Sequence, residues 1–128
     1  MPYNFIKNVI LNESTPSKKL ELLTLPYSKG DLEPAISEDT INYHYSKLAK
    51  AYVDRYNDRE GDLDFNEAGA FLHNILFPQY HKAEGKNDPD GSAGEFITKH
   101  FKTFANFKEQ FSKAAMGIQG SGWAYLAK

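Results

Sequence analysis

The sequence predicts a mainly α-helical protein built around an antiparallel helical hairpin. Two stretches, Ser37 to Tyr56 and Phe65 to Phe77, carry apolar residues at helical spacing, and neither contains a proline. Only the short polar stretch from Asn57 to Asp64 separates them, and a connection of this length favours two adjacent antiparallel helices. We expect two further short helices, an extended N-terminal arm and a short C-terminal strand to complete the fold.

Length and composition exclude several classes of function. A length of 128 residues favours a single domain. We expect an N-terminal arm over residues 1–24, followed by one helical domain over residues 25–128. The net charge of −2, without a basic stripe, argues against a nucleic-acid partner, and the lack of cysteine excludes disulfides and thiolate chemistry. No apolar run reaches the length of a membrane span, and no signal-peptide pattern opens the sequence. We therefore expect a soluble chain, either cytoplasmic or inside an assembled particle.

The N-terminal arm has two interpretations. It carries two small apolar clusters before a turn at Asn12 to Ser17: Tyr3, Phe5 and Ile6, then Val9, Ile10 and Leu11. Clusters of this size cannot form a core, so the arm either packs loosely on its own domain or docks on a partner.

The first predicted helix places one histidine on its apolar side. Ser37 is a good N-cap, and two acidic residues follow it in the first turn. The predicted inner face comprises Ile41, Tyr45, Leu48 and Tyr52, with the row His44, Leu48 and Tyr52 along the same side. A lone histidine in such a position is more often a hydrogen-bonded core residue than a metal ligand.

The second predicted helix also carries one central histidine, His73. It is apolar nearly all round from Ala68 onward, so we expect it to be buried, and Pro78 marks its end. His81 and His100, by contrast, are expected at the surface.

The remaining sequence predicts two short helices and a strand. Ser92 and Glu95 fit a capping box that begins a helix through Phe101, and phenylalanines at helical spacing predict another over Phe104 to Ala115. Three glycines then break the helix before Trp123 to Leu126, which reads as an apolar strand with an open edge.

Four ordered motifs resemble the N-terminal half of iron/manganese superoxide dismutases over roughly residues 22–128. They are LPYSKGDLEPAIS from Leu25, the helix with YHYSK and AYV from Tyr43, FNEAGAFLHNILF from Phe65, and GIQGSGW from Gly117. The resemblance implies that His44 and His73 are two of four protein ligands of a manganese or iron ion. It also implies that Tyr52 is the gateway and candidate catalytic residue above the metal, and that Trp123 lines the pocket.

The same resemblance shows where this sequence departs from the family. The family's other two ligands, an aspartate and a histidine, belong to a D-x-W-E-H motif that has no match here, so we expect the C-terminal half to be absent. Gly69 resembles the manganese-type pattern, whose pocket glutamine also comes from that half. Leu48 and Phe77 stand where the family has histidine and tryptophan, so these pocket walls become plainly apolar.

Two functional hypotheses follow. The first, which we expect, is a non-catalytic structural module of a larger assembly, such as a virion or a ribosome-like particle, with a degenerate site and no cofactor. The alternative is a superoxide dismutase whose manganese or iron site is completed by a second chain. In either case we expect a protein partner or a second copy at the N-terminal arm and at the C-terminal residues Trp123, Ala124, Tyr125 and Leu126.

Overall fold

The structure, a computed structural model, describes residues 18–82, 84–85 and 87–127 and divides the chain into two compact units, residues 1–82 and 83–128. The first unit holds α1 (Glu38–Tyr43), a π-helical segment (His44–Ala49), α2 (Lys50–Asn57), α3 (Leu63–Leu76) and a 3₁₀ turn (Phe77–Gln79). The second holds α4 (Gly91–Phe101) and α5 (Phe104–Met116). The mainly helical prediction is confirmed, whereas the apolar clusters of residues 3–11 lie outside the described residues.

The first long helix runs from α1 to α2 without a break. Ser37 caps it as predicted, because its hydroxyl Oγ accepts a hydrogen bond from the backbone N–H of Thr40 at 3.1 Å. Tyr43, Ala49 and Lys50, which lie at the two junctions, all keep right-handed helical backbone angles. The π segment therefore widens this helix locally and does not end it.

The π segment changes which residues face inward. Leu48 is 45% exposed, while Ala49 is fully buried and Val53 is buried after it. A π turn closes its hydrogen bonds at i to i+5, so the position below His44 on the inner side moves from the fourth residue to the fifth. The predicted row of His44, Leu48 and Tyr52 is therefore wrong at Leu48, which faces outward.

Asp62 determines where α3 begins. Its carboxylate Oδ1 accepts a hydrogen bond from the backbone N–H of Phe65 at 3.0 Å, so the helix begins at Leu63, before the predicted Phe65. The helix packs on α2, but its other side is open, since Phe65 and Phe71 are 63% and 61% exposed. The expectation that this helix is buried is therefore wrong on this side.

A lead-in segment, residues 18–36, lies across the hairpin before α1. The Asn57 side chain exchanges two hydrogen bonds with the backbone of Leu20, at 2.8 and 2.9 Å. The Asn74 side chain accepts from the backbone N–H of Leu23 and donates to the carbonyl oxygen of Glu21, at 2.8 and 2.9 Å. The described part of the arm is thus held on its own chain by two asparagines, one on each helix of the hairpin.

The second unit consists of the two predicted short helices and a C-terminal coil. The α4 helix begins at Gly91, one residue before the predicted capping residue Ser92, and Thr103 caps α5 by accepting from the backbone N–H of Asn106 at 3.1 Å. The expected strand from Trp123 to Leu126 is wrong, because these residues form no strand. No residue that the structure describes forms a strand either, so the segment has no neighbour with which to build a ladder. In the same described part, no helix is long and apolar enough to cross a membrane.

Candidate metal centre

The structure brings the two central histidines of the hairpin into direct contact. The Nε2 atoms of His44 and His73 lie 3.1 Å apart, and the two rings meet edge to face with centroids 5.0 Å apart. His44 stands at the first residue of the π segment, and His73 is buried near the end of α3. The side chains of two residues that are 29 positions apart in sequence thus meet between the helices.

The backbone of α3 determines which nitrogen of His73 carries the proton. His73 Nδ1 lies 2.7 Å from the carbonyl oxygen of Gly69, which can only accept. Nδ1–H therefore donates to this carbonyl, and Nε2 keeps its lone pair. The contact between the rings is then a hydrogen bond from His44 Nε2–H to His73 Nε2.

Burial lowers the pKa of His44 below its ordinary value, and the neighbouring His73 lowers it further. A lowered pKa favours the neutral ring, because desolvation penalises the imidazolium form. A neutral imidazole is also the form that binds a metal ion.

Tyr52 lies beside His73 because Gly69 leaves room for it. The Tyr52 and His73 ring centroids are 5.4 Å apart. A Cβ atom at Gly69 would lie 2.6 Å from Cδ1 of Tyr52, a distance that real Cβ atoms do not show. Gly69 therefore allows the tyrosine ring to lie directly on α3, one turn before the buried histidine.

Phe77 closes the inner side of the histidine pair. It is 1% exposed, and its ring centroid lies 5.1 Å from that of His44 and 5.9 Å from that of His73. Tyr45 packs against it edge to face at 5.3 Å. The pair is therefore shielded on this side by apolar ring surface.

The remaining predicted site residues are Leu48 and the C-terminal candidates. Leu48 borders a shallow groove on the outer side of the first helix, together with Tyr43 and His44. The C-terminal candidates belong to the second unit, where Trp123 and Ala124 are half-buried and Tyr125 and Leu126 are exposed.

Sequence reasoning missed two residues that contact the histidine helices, Tyr27 and Lys29. The Tyr27 hydroxyl donates to the carbonyl oxygen of Phe77 at 2.9 Å, and the Lys29 ammonium donates to Asn42 and Ser46, on either side of His44. Both lie in the motif LPYSKGDLEPAIS, in which no site residue was predicted. Helical spacing gives no signal for contacts made from such a segment.

The histidine pair fits half of a ligand set for a metal ion. Two bonds of about 2.1 Å from imidazole nitrogens to one ion, at a right angle, would place the nitrogens about 3.0 Å apart, close to the 3.1 Å found here. Donation from Nδ1 to a backbone carbonyl, as at His73, is also how ligating histidines are usually oriented. Among the described residues, no group of three or more His, Cys, Asp or Glu side chains could hold a metal, so the pair needs further ligands.

Comparison with known proteins gives the same family for both units. The sequence-family model of the iron/manganese superoxide dismutase alpha-hairpin domain matches residues 19–70, and the sequence-family model of the C-terminal domain matches residues 89–128. The expectation that the C-terminal half is absent is therefore wrong in part, because α4 and α5 lie within the second match. What the sequence lacks is the D-x-W-E-H motif, not the whole domain.

Curated relatives are superoxide dismutases of bacteria and archaea. The chain is 39% identical to the superoxide dismutase [Fe] of Bacteroides fragilis and 38% identical to the superoxide dismutase [Mn/Fe] of Porphyromonas gingivalis, in each case over 84% of this chain and 65% of the relative. It is 34% identical to the superoxide dismutase [Fe] of Escherichia coli over the same shares. The chain thus spans about two thirds of the length of the relatives it matches. With both domain models matched in order and a paired-histidine hairpin in the first, the chain belongs to the iron/manganese superoxide dismutase family.

Proposed function

We propose that this chain supplies two metal ligands and the gateway tyrosine of an iron- or manganese-dependent superoxide dismutase centre. The single observation that carries the proposal is the 3.1 Å approach of the two Nε2 atoms, with the His73 lone pair fixed by Gly69. The remaining aspartate and histidine ligands come from outside these 128 residues. The similarity to superoxide dismutases supports this enzymatic alternative better than a structural module of a virion or ribosome-like particle.

Each residue of the pair's surroundings has a distinct task in this proposal. An iron or manganese ion held in part by His44 and His73 would supply one-electron chemistry, by which one superoxide is oxidised to O₂ and a second is reduced and takes up two protons to give H₂O₂. His44 and His73 bind the ion as neutral imidazoles, and Phe77 excludes water behind them. The phenol of Tyr52, whose ring lies beside that of His73, is the proposed proton donor.

Complementation tests the proposal. The full 128-residue chain is co-expressed with a polypeptide that covers the remaining C-terminal part of the Bacteroides fragilis relative, and the purified complex is assayed for iron and manganese content and for superoxide removal. We expect bound metal and catalysed dismutation. His44→Ala or His73→Ala should abolish both, because each removes a ligand whose loss the other imidazole cannot replace.

His81→Ala is the matched control. His81 is exposed and, among the described residues, bonds to the neighbouring carbonyl oxygen of Lys82, so its loss should change neither metal content nor rate. A folded complex that binds no metal, or one that keeps its activity after His44→Ala, would refute the proposal.

The C-terminal residues Trp123 to Leu126 remain our candidate contact with the completing polypeptide. Because they form no strand, the contact would use side chains, and Tyr125 at 74% exposure and Leu126 at 41% are available for it. Exposed large apolar residues are common where a partner binds.

A further inference from the structure

The lead-in segment touches both helices that carry the paired histidines, within three residues. Tyr27 donates its hydroxyl to the carbonyl oxygen of Phe77 at 2.9 Å, just past the end of the helix that carries His73. Lys29 reaches the other helix, where its Nζ donates to Asn42 Oδ1 at 2.6 Å and to Ser46 Oγ at 2.9 Å. We call Tyr27 and Lys29 the lead-in clamp.

The backbone between these contacts and α1 is closely fixed. The backbone N–H of Ser28 donates to the carboxylate of Asp31 at 2.8 Å, and the N–H of Asp31 donates back to the carbonyl of Ser28 at 2.9 Å. Leu32, next along the chain, is buried at 5% exposure. The turn that presents Lys29 is therefore closed locally and anchored by an apolar side chain.

Lys29 bridges the point where the helix changes from α to π. Asn42 belongs to α1 and Ser46 to the π segment, and His44 lies midway between them. No carboxylate within the described residues lies at ion-pair distance from the Lys29 ammonium, so its charge acts on two neutral oxygens in charge-assisted hydrogen bonds. π turns are rare, appear mostly as single turns and are frequent at functional sites. Lys29 contacts this one from outside the helix.

We propose that the lead-in clamp positions the metal centre: Tyr27 fixes the end of the His73 helix, and Lys29 fixes the π segment that aims His44. Neither residue touches the reacting atoms. Their role is to hold the two Nε2 atoms at one point before any ion arrives. This inference rests on the proposed function and extends it to residues that bind no metal themselves.

The test uses the full chain with Lys29→Met and Tyr27→Phe, which remove the ammonium and the hydroxyl but keep most of the side-chain volume. Two readouts are compared: the affinity for Co²⁺, followed by its visible absorption, and the imidazole ¹⁵N shifts of His44 and His73 in the metal-free chain. We expect each variant to lower Co²⁺ affinity about ten-fold, as loss of an orienting partner does at other metal sites. The His44 ring should also lose the signature of a single Nε2–H tautomer.

The matched controls are Tyr43→Phe and Lys47→Met, because both residues lie on the exposed side of the same helix. They should change neither readout. Ser46→Ala combined with Lys29→Met should cost less than the sum of the two single changes, since both remove the same contact.

Unchanged shifts and unchanged affinity in Lys29→Met would overturn the inference. So would a loss of affinity that merely follows a loss of unfolding free energy in denaturant. If the wild-type chain alone binds no Co²⁺, the imidazole shifts decide whether the clamp positions His44, and the metal content of the two-chain complex decides the proposed function separately.

Discussion

The candidate site depends most on Gly69, whose side chain is a single hydrogen atom. Its missing Cβ lets the Tyr52 ring lie against α3, and its carbonyl oxygen fixes the proton of His73. The sequence comparison noted this glycine only as a mark of the manganese-type pattern. Its contact with Tyr52 needs the two helices in place, which no local pattern contains.

We expect Gly69→Ala to destabilise the chain by about 1–3 kcal/mol, because overpacking a close helix contact outweighs the better helix propensity of alanine. Denaturant unfolding measures this cost. Ala68→Ser, an exposed change one residue away, should stay near wild type. A Gly69→Ala chain as stable as wild type would show that Tyr52 can move aside freely.

His44 gives the metal-free chain a pH dependence. Since its pKa is lowered in the folded state, the unfolded chain takes up the proton first as pH falls. The contribution is fully present above the unfolded pKa of about 6.5 and is lost as pH falls through the folded value. Unfolding free energy measured from pH 7.5 to pH 5.5 should therefore fall more steeply in wild type than in His44→Gln. Equal slopes for wild type and His44→Gln would contradict the assignment.

At the scale of elements, the lead-in segment is held on the hairpin by asparagine side chains that form hydrogen bonds with its backbone. Asn57 and Asn74 each bond to backbone donors and acceptors that a neighbouring strand would otherwise satisfy. These two amides, together with the Tyr45 hydroxyl, which donates to the carbonyl oxygen of Leu23 at 2.7 Å, hold the first part of the segment on the hairpin.

We expect Asn57→Ala and Asn74→Ala each to destabilise the first unit by about 1–3 kcal/mol, since each leaves backbone groups without their partner. Amide hydrogen exchange at Leu20 and Leu23 should accelerate selectively. Asn87→Ala, an exposed change in the second unit, is the control and should leave both amides protected. Slow exchange in the two variants would mean that other contacts hold the segment.

Helix identity was predictable from periodicity, but the π segment was not. Ser37, Pro78 and the phenylalanines of α5 carry local signals, and the helices begin or end within a few residues of them. A 3.6-residue period assigned Leu48 to the inner face, whereas the π turn buries Ala49. The extra residue depends on contacts such as that from Lys29, which are tertiary, so a single-sequence pattern could not contain it.

At the scale of the whole molecule, the family motifs located the histidine pair correctly and misjudged the end of the chain. His44 and His73 meet as the motif order implied. The strand at Trp123 to Leu126 was read from residue type alone, but a strand exists only with a neighbour, and the described residues supply none.

The exposed C-terminal side chains give a prediction for the assembled protein. Tyr125→Ser combined with Leu126→Ser should weaken association with the completing polypeptide about ten-fold or more, because two large apolar contacts are lost. Analytical ultracentrifugation of the two-chain mixture measures it. Met116→Ser, at a more exposed position on α5, is the control. Unaltered association in the double variant would remove these residues from the interface.

The hydrogen bond between the two imidazoles has a kinetic consequence. In the metal-free chain the Nε2–H of His44 donates to the Nε2 lone pair of His73, so neither Nε2 atom is open to an arriving ion. This hydrogen bond has to break before His73 can bind the ion, and the His44 proton has to leave Nε2 before His44 can bind it. Metal uptake should therefore begin with the opening of the contact between the two imidazoles.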